Sequence, residues 1–166
     1  MRRVLIAVVA SVAVGVAGIG PARATPLPEA PACPMLPADD VWHADVSTLP
    51  VDPSSATYVT SGGAASSMHA DFGSGTWNGG PIGIPYTTVP GTQPRVAVSF
   101  DYADESDPGP YPVPPDAPIE GGSSSSGDRH VLVVDRDACV LYELYAADPQ
   151  PDGSWHAGSG ARFDLR

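Results

Sequence analysis

The chain reads as a mainly β protein, a sandwich or partly open barrel with at most one or two short helices. Three observations predict this. Across Arg95–Tyr102, Val96, Val98, Phe100 and Tyr102 alternate with Arg95, Ala97, Ser99 and Asp101, so the large side chains share one sheet face. His130–Val134 and Cys139–Ala147 are runs rich in Val, Leu and Tyr around the turn Asp135-Arg136-Asp137-Ala138, hence a hairpin. With 18 Gly and 20 Pro among 166 residues, long helices have little room.

The chain opens with Arg2 and Arg3, then an apolar run, Val4–Ile19, of Val, Leu, Ile, Ala, Gly and one Ser. Gly20-Pro21 breaks it, and Ala22-Arg23-Ala24 offers small residues where a signal peptidase reads. This predicts a secretory signal peptide over 1–24, cleaved after Ala24, and a secreted or cell-envelope location. The competing reading is a membrane anchor, but the 16-residue run is short of the roughly 20 that a spanning helix needs.

Residues 25–38 carry five prolines and little periodicity, which predicts an extended lead-in rather than a folded element. A single β-rich domain is expected over 39–166. Asp52-Pro53-Ser54-Ser55 reads as a helix start with Asp52 as N-cap, ended by Gly62-Gly63, with a strand as competitor. Trp77-Asn78-Gly79-Gly80-Pro81 is a turn cluster, and Ile84–Val89 a short strand. Residues 103–128 hold six prolines and then a Gly/Ser run. They form a long loop within one domain or a linker, and too few apolar residues flank them for two cores. Trp155-His156 and Arg162–Leu165 suggest two further strands. The pattern stops in mid-course at Arg166, which predicts a truncated product, with a natural end as the alternative.

Loss of residues 1–24 would leave five arginines against nineteen acids, a net charge of −14, with no lysine anywhere. Such a body repels phosphate backbones and anionic lipid, so neither nucleic acid nor, after cleavage, a membrane is an expected partner. Without lysine there is no P-loop, Schiff base or Ser-Lys dyad. His-Glu-x-x-His, Gly-x-Ser-x-Gly and Cys-x-x-Cys are likewise missing. The two cysteines, Cys33 and Cys139, are expected to pair in an oxidising compartment; the alternative is two free thiols.

Three segments, DFGSGTWNGGPIGIPYTTVPG, FDYADESDPGPYPVPPDAPIEGG and GDRHVLVVDRDACVLYELYAADPQPDGSW, resemble an uncharacterised family of exported, β-rich bacterial proteins. The resemblance spans roughly residues 40–165. It implies that the Pro-rich stretch is internal to one domain and that related chains continue beyond this C-terminus. It supplies no activity, substrate or catalytic residue.

Four groups of residues are candidates for chemistry. Asp101, Asp104, Glu105 and Asp107, with Glu120 and Asp128 at the far end of the long loop, could hold Ca²⁺ through carboxylate oxygens. Their spacing matches no known calcium loop, and a solvated acidic loop is the simpler reading. Glu105, Glu120 and Glu143 are candidates for an acid/base pair in glycoside cleavage, although nineteen acids make some pair inevitable. His43/Asp45, His69/Asp71 and Asp128/His130 are pairs two apart that a strand could present on one face to a metal. Trp77, Tyr86, Tyr111 and Trp155 lie in turn-like stretches near Gly or Pro and could stack on sugar rings, with a place in the core as the alternative for Trp77 and Trp155, while Trp42 is expected in the core.

The function expected is an exported domain that binds a surface polymer, carbohydrate above all. The alternatives are a carboxylate-dependent glycan hydrolase assisted by Ca²⁺, or a structural part of a larger secreted protein.

Overall fold

The computed structural model describes residues 25–67, 76–77 and 80–166. In chain order the strands are β1 (Pro26–Leu27), β2 (Ala30–Pro34), β3 (Thr76–Trp77), β4 (Gly80–Pro81), β5 (Tyr86–Val89), β6 (Val98–Phe100), β7 (Val131–Asp135), β8 (Val140–Tyr145), β9 (Asp148–Pro149), β10 (Trp155–Ala157) and β11 (Ser159–Asp164). One helix, α1 (Ser55–Ser61), and 3₁₀ turns at Val41–His43 and Ala103–Glu105 complete the set. The protein is mainly β.

Two sheets enclose the main core. The larger runs β11-β8-β7-β5, antiparallel except for the parallel β5–β7 pair. The smaller runs β6-β10-β9, with β6 and β10 parallel. They do not close into a barrel among the described residues. The predicted hairpin is the β7–β8 pair, with Val133 opposite Tyr142 and Val131 opposite Leu144. These four side chains are at most 1 % exposed, and they pack with Trp155 and Ala157 of the smaller sheet. Each Val or Leu buried in this way contributes about 1.5–3 kcal/mol.

The alternation in 95–102 appears as predicted at Val96, Val98 and Phe100, which pack on the core while Arg95, Ala97, Ser99 and Asp101 face water. Tyr102 departs from the pattern, being 53 % exposed, because the chain turns there into the Ala103–Glu105 3₁₀ turn. Within 103–128, Tyr111, Val113 and Ala117 belong to the main core. A two-way backbone bridge ties Tyr111 to Val96, and the Tyr111 hydroxyl donates to the Asp107 carbonyl at 2.8 Å. Burial pushes that phenol up to about 12, with the Asp107 charge adding to it. Pro-rich backbone lacks many N–H groups, so it can cover a core without a full ladder.

The hairpin turn is built by a carboxylate. Asp135 is 4 % exposed, and its Oδ1 accepts from the Asp137 and Ala138 amides at 3.1 and 2.9 Å. Cys139 follows with φ of +54°. It is bonded to Cys33, with a Cα–Cα distance of 5.2 Å and a sequence separation of 106, as the even cysteine count predicts. A loop of that length nominally contributes about 4.7 kcal/mol in the chain-entropy model.

Three expectations need correction. Residues 25–38 are not a bare extended lead-in: β1 and β2 pair, and Ala30 and Cys33 are buried with Val134, Cys139 and Leu165. The disulfide supplies the long-range anchor that local pattern cannot reveal. The start of helix α1 shifts: Ser54, not Asp52, holds the N-cap position but makes no side-chain capping bond, while the Asp52 carboxylate still caps the first turn by accepting the Ser54 amide at 2.7 Å. Trp42, expected in the core, is 82 % exposed on the Val41–His43 turn, where no residue is buried.

At Gly158 the chain passes from the small sheet into the large one. A Cβ there would lie 2.9 Å from the Tyr145 ring, and one at Gly160 would lie 2.7 Å from Phe100. Only glycine lets backbone and rings approach so closely. No helix among the described residues is long and apolar enough to cross a membrane; residues 1–24, including the cleavage site expected after Ala24, lie outside them.

Candidate functional site

The inner face of the large sheet is sealed, so any site on that sheet must use its outer face. Ladder register lines up Ala161, Glu143, Leu132 and Tyr86 across β11, β8, β7 and β5. The neighbouring row on one side holds Ser159 and Tyr145, and on the other Phe163, Leu141 and Val134. The N-terminal hairpin and disulfide cover Val134 and pack against Leu141 and Tyr86. The rest is more open: Tyr145 and Phe163 are 41 % and 43 % exposed.

His130 precedes β7 beside this face, its ring centroid 5.6 Å from that of Tyr145. Its Nδ1 donates to Glu120 Oε2 at 2.6 Å, and the Glu120 amide donates to the His130 carbonyl at 2.9 Å. The carboxylate thus orients the imidazole and leaves Nε2 as the other ring nitrogen for external chemistry. Both side chains remain partly exposed, at 26 % and 30 %. Burial of Glu143 raises its carboxyl pKa above the usual range, and the charge of His130 works against that rise. The face therefore combines open rings, an oriented imidazole and a carboxyl inclined to hold its proton.

Two of the three predicted acid/base carboxyls, Glu120 and Glu143, come together around His130. Glu105 stands exposed on the 3₁₀ turn after β6 and takes no part in this cluster. Of the predicted ring residues, Tyr86 stands at the sheet edge, half-buried. Tyr111 and Trp155 are core residues, 0 % and 2 % exposed, and cannot stack on a ligand. The prolines flanking Tyr111 carry the chain into the core at its bridge to Val96, and Trp155 points inward from β10. Trp77 lies in β3, and its side chain is outside the described part of the structure.

The predicted calcium cluster of Asp101, Asp104, Glu105 and Asp107 does not form. Among the described residues, no three acidic, His or Cys side chains gather to hold a metal ion. Other partners take two of its members. The Asp101 carboxylate lies 3.3 Å from His156 Nε2, and the Asp107 carboxylate accepts the Arg162 amide at 2.8 Å. The His/Asp pairs disperse likewise: His43 Nε2 contacts the Met35 carbonyl, Asp45 caps the Ser47 amide, and His130 turns to Glu120 rather than to Asp128. His69 and Asp71 lie outside the described residues.

Sequence reading missed Tyr145 and Phe163 as open rings and Glu120 as the partner of His130. The period-two pattern of β8 places Leu141, Glu143 and Tyr145 on one face, which was the available signal. Nothing local identifies that face as the one left uncovered. Comparison with known proteins finds no matching family model, curated protein or solved structure for this chain.

Proposed function

We propose that the protein works outside the cytosol as a carbohydrate-binding domain, the sugar lying on the outer face of the large sheet. The observation that carries this reading is the half-exposed pair Tyr145 and Phe163 on the same face as Glu143 and the Glu120–His130 pair. Aromatic rings stack on the apolar faces of sugars, and carboxylates accept hydrogen bonds from their hydroxyls. A net charge of −14 after leader removal favours neutral or amino sugars over polyanions. The leader pattern and the Cys33–Cys139 bond support an exported setting, in keeping with the resemblance to exported β-rich bacterial proteins.

Calorimetric titration with soluble neutral glucans and chitooligosaccharides tests the reading. Saturable binding that weakens at least about tenfold in Tyr145→Ala is expected, a loss of about 1.4 kcal/mol. Binding unaffected by that substitution, or none across the glycan set, removes it.

One observation favours a second reading, that of a glycan hydrolase. Glu143, with its raised pKa, fits a general acid, and Glu120 would be the second carboxyl. Reducing-end release that disappears in Glu143→Gln supports this; no release by the wild-type protein excludes it.

A further inference from the structure

We propose that Ser99, His156 and Asp101 form a separate esterolytic site on the outer face of the small sheet, acting on carboxylic esters. This inference is independent of the glycan reading and uses another sheet. Ser99 and His156 are directly paired in the parallel β6–β10 ladder. Ser99 Oγ lies 3.0 Å from His156 Nδ1, and His156 Nε2 lies 3.3 Å from Asp101 Oδ1. The imidazole therefore bridges a hydroxyl and a carboxylate through its two nitrogens.

The tautomer follows from the carboxylate. The Asp101 charge lies on the Nε2 side, in ion-pair range, and favours the tautomer with its proton there, which leaves Nδ1 as a base facing the hydroxyl. A serine paired with an oriented imidazole is the arrangement that activates a hydroxyl nucleophile. The frame is rigid: Trp155 and Ala157 face the core on either side of His156, and Val98 and Phe100 do so around Ser99. The Asp101 amide donates to the Ala157 carbonyl at 3.0 Å, which holds the carboxylate beside the ring. Asp148 is paired with His156 on its other side in the ladder, but Arg129 engages its carboxylate at 3.4 Å. His156 and Asp101 are 42 % and 62 % exposed, so a substrate can reach the site.

In the reaction, Ser99 Oγ bonds to the ester carbonyl carbon while its proton passes to His156 Nδ1. Collapse of the tetrahedral intermediate breaks the carbon–alkoxy bond, and the leaving alcohol takes that proton. Water then attacks the acyl-serine, giving its proton to Nδ1, which returns it to Ser99 Oγ as the acid departs. Ser99 and His156 are the catalytic residues, and Asp101 is a positioning residue.

The test uses the full disulfide-bonded protein and a fluorophosphonate probe, with intact-mass and peptide mapping. One adduct on Ser99 is expected, formed as Ser99 Oγ attacks phosphorus and fluoride leaves, the hydroxyl proton passing to His156 Nδ1. Labelling should fall about 10²-fold in His156→Gln and vanish in Ser99→Ala. Asp101→Asn should change the pH profile of labelling, which a merely structural residue would leave in place. In a second measurement, Ser99→Cys should be alkylated by iodoacetamide faster than Ser99→Cys/His156→Gln at neutral pH. No adduct at Ser99 in the folded protein, or equal alkylation rates with and without His156, overturns the proposal.

Discussion

The two faces of the large sheet are made by the same strands and meet opposite fates. Inward-pointing Val131, Val133, Tyr142 and Leu144 are closed over by the small sheet and the Tyr111 segment. Outward-pointing Leu141 and Val134 are covered only where the N-terminal hairpin reaches them, leaving Tyr145 and Phe163 half open. The sealed face depends on packing within residues 86–166, whereas the covered part of the other depends on a small separate cluster and the one covalent link inside it. Coverage, more than side-chain type, separates core from candidate site. Tyr142 and Tyr145, three residues apart in β8, show this most directly. Tyr142 is 1 % exposed with Arg95 and Arg162 each 5.3 Å from its ring centroid, while Tyr145 faces outward beside His130.

The largest expected effect is on the sealed face. Trp155→Ala should cost about 3–5 kcal/mol in urea unfolding, the range for emptying a fully buried aromatic site. A loss below 1 kcal/mol would mean the small sheet does not seal the core.

Cutting the link comes next. Replacing Cys33 and Cys139 together by Ser should cost about 2–4 kcal/mol and expose Val134 and Leu165. Hydrogen exchange should then accelerate in 25–36 and at the start of β8, with the centre of β7 still protected. Uniform acceleration would show that the two faces are not independent.

Overfilling is a smaller perturbation. Gly160→Ala should cost about 1–3 kcal/mol, because the new methyl meets the Phe100 ring and the Tyr111 hydroxyl at under 3 Å. An unchanged melting temperature would show that these groups yield freely.

The smallest effect concerns Glu143. Its folded pKa lies above the ordinary value of 4.5, so the folded chain keeps this proton longer than the unfolded one. That contribution to stability is full below 4.5 and is lost as pH rises through the raised value. Glu143→Gln should therefore flatten the decline of stability with rising pH in that window. An unaltered pH slope would place the carboxyl in water and weaken its place in the candidate site.

Much of the architecture was legible because strand periodicity is local. Alternation in 95–102 and 140–145 tells which side chains share a face, and Asp135-Arg136-Asp137-Ala138 marks the hairpin. The site was less legible. Glu120 and Glu143 could be nominated only among nineteen acids, since the return of a long loop onto β7 brings Glu120 to His130 and the β7–β8 ladder brings Glu143. Tyr111 resembled a loop aromatic because Pro110 and Pro112 flank it, and Trp155 because Gly153 lies two residues before it. Yet those prolines let the backbone dive into the core, as the Tyr111–Val96 bridge shows.

By itself the sequence determined the β character, the shared face of Val96, Val98 and Phe100 and, for an oxidising compartment, which two cysteines pair, since periodicity and cysteine count are properties of the chain alone. Tertiary structure decided which sheet face stays open, that residues 25–34 dock as a hairpin, and that Ser99 meets His156 across two strands 57 residues apart. Those outcomes depend on register between distant segments. Hydrophobic pattern and turn geometry fix register within a hairpin such as β7–β8, but no local pattern says which distant strand will lie beside β6.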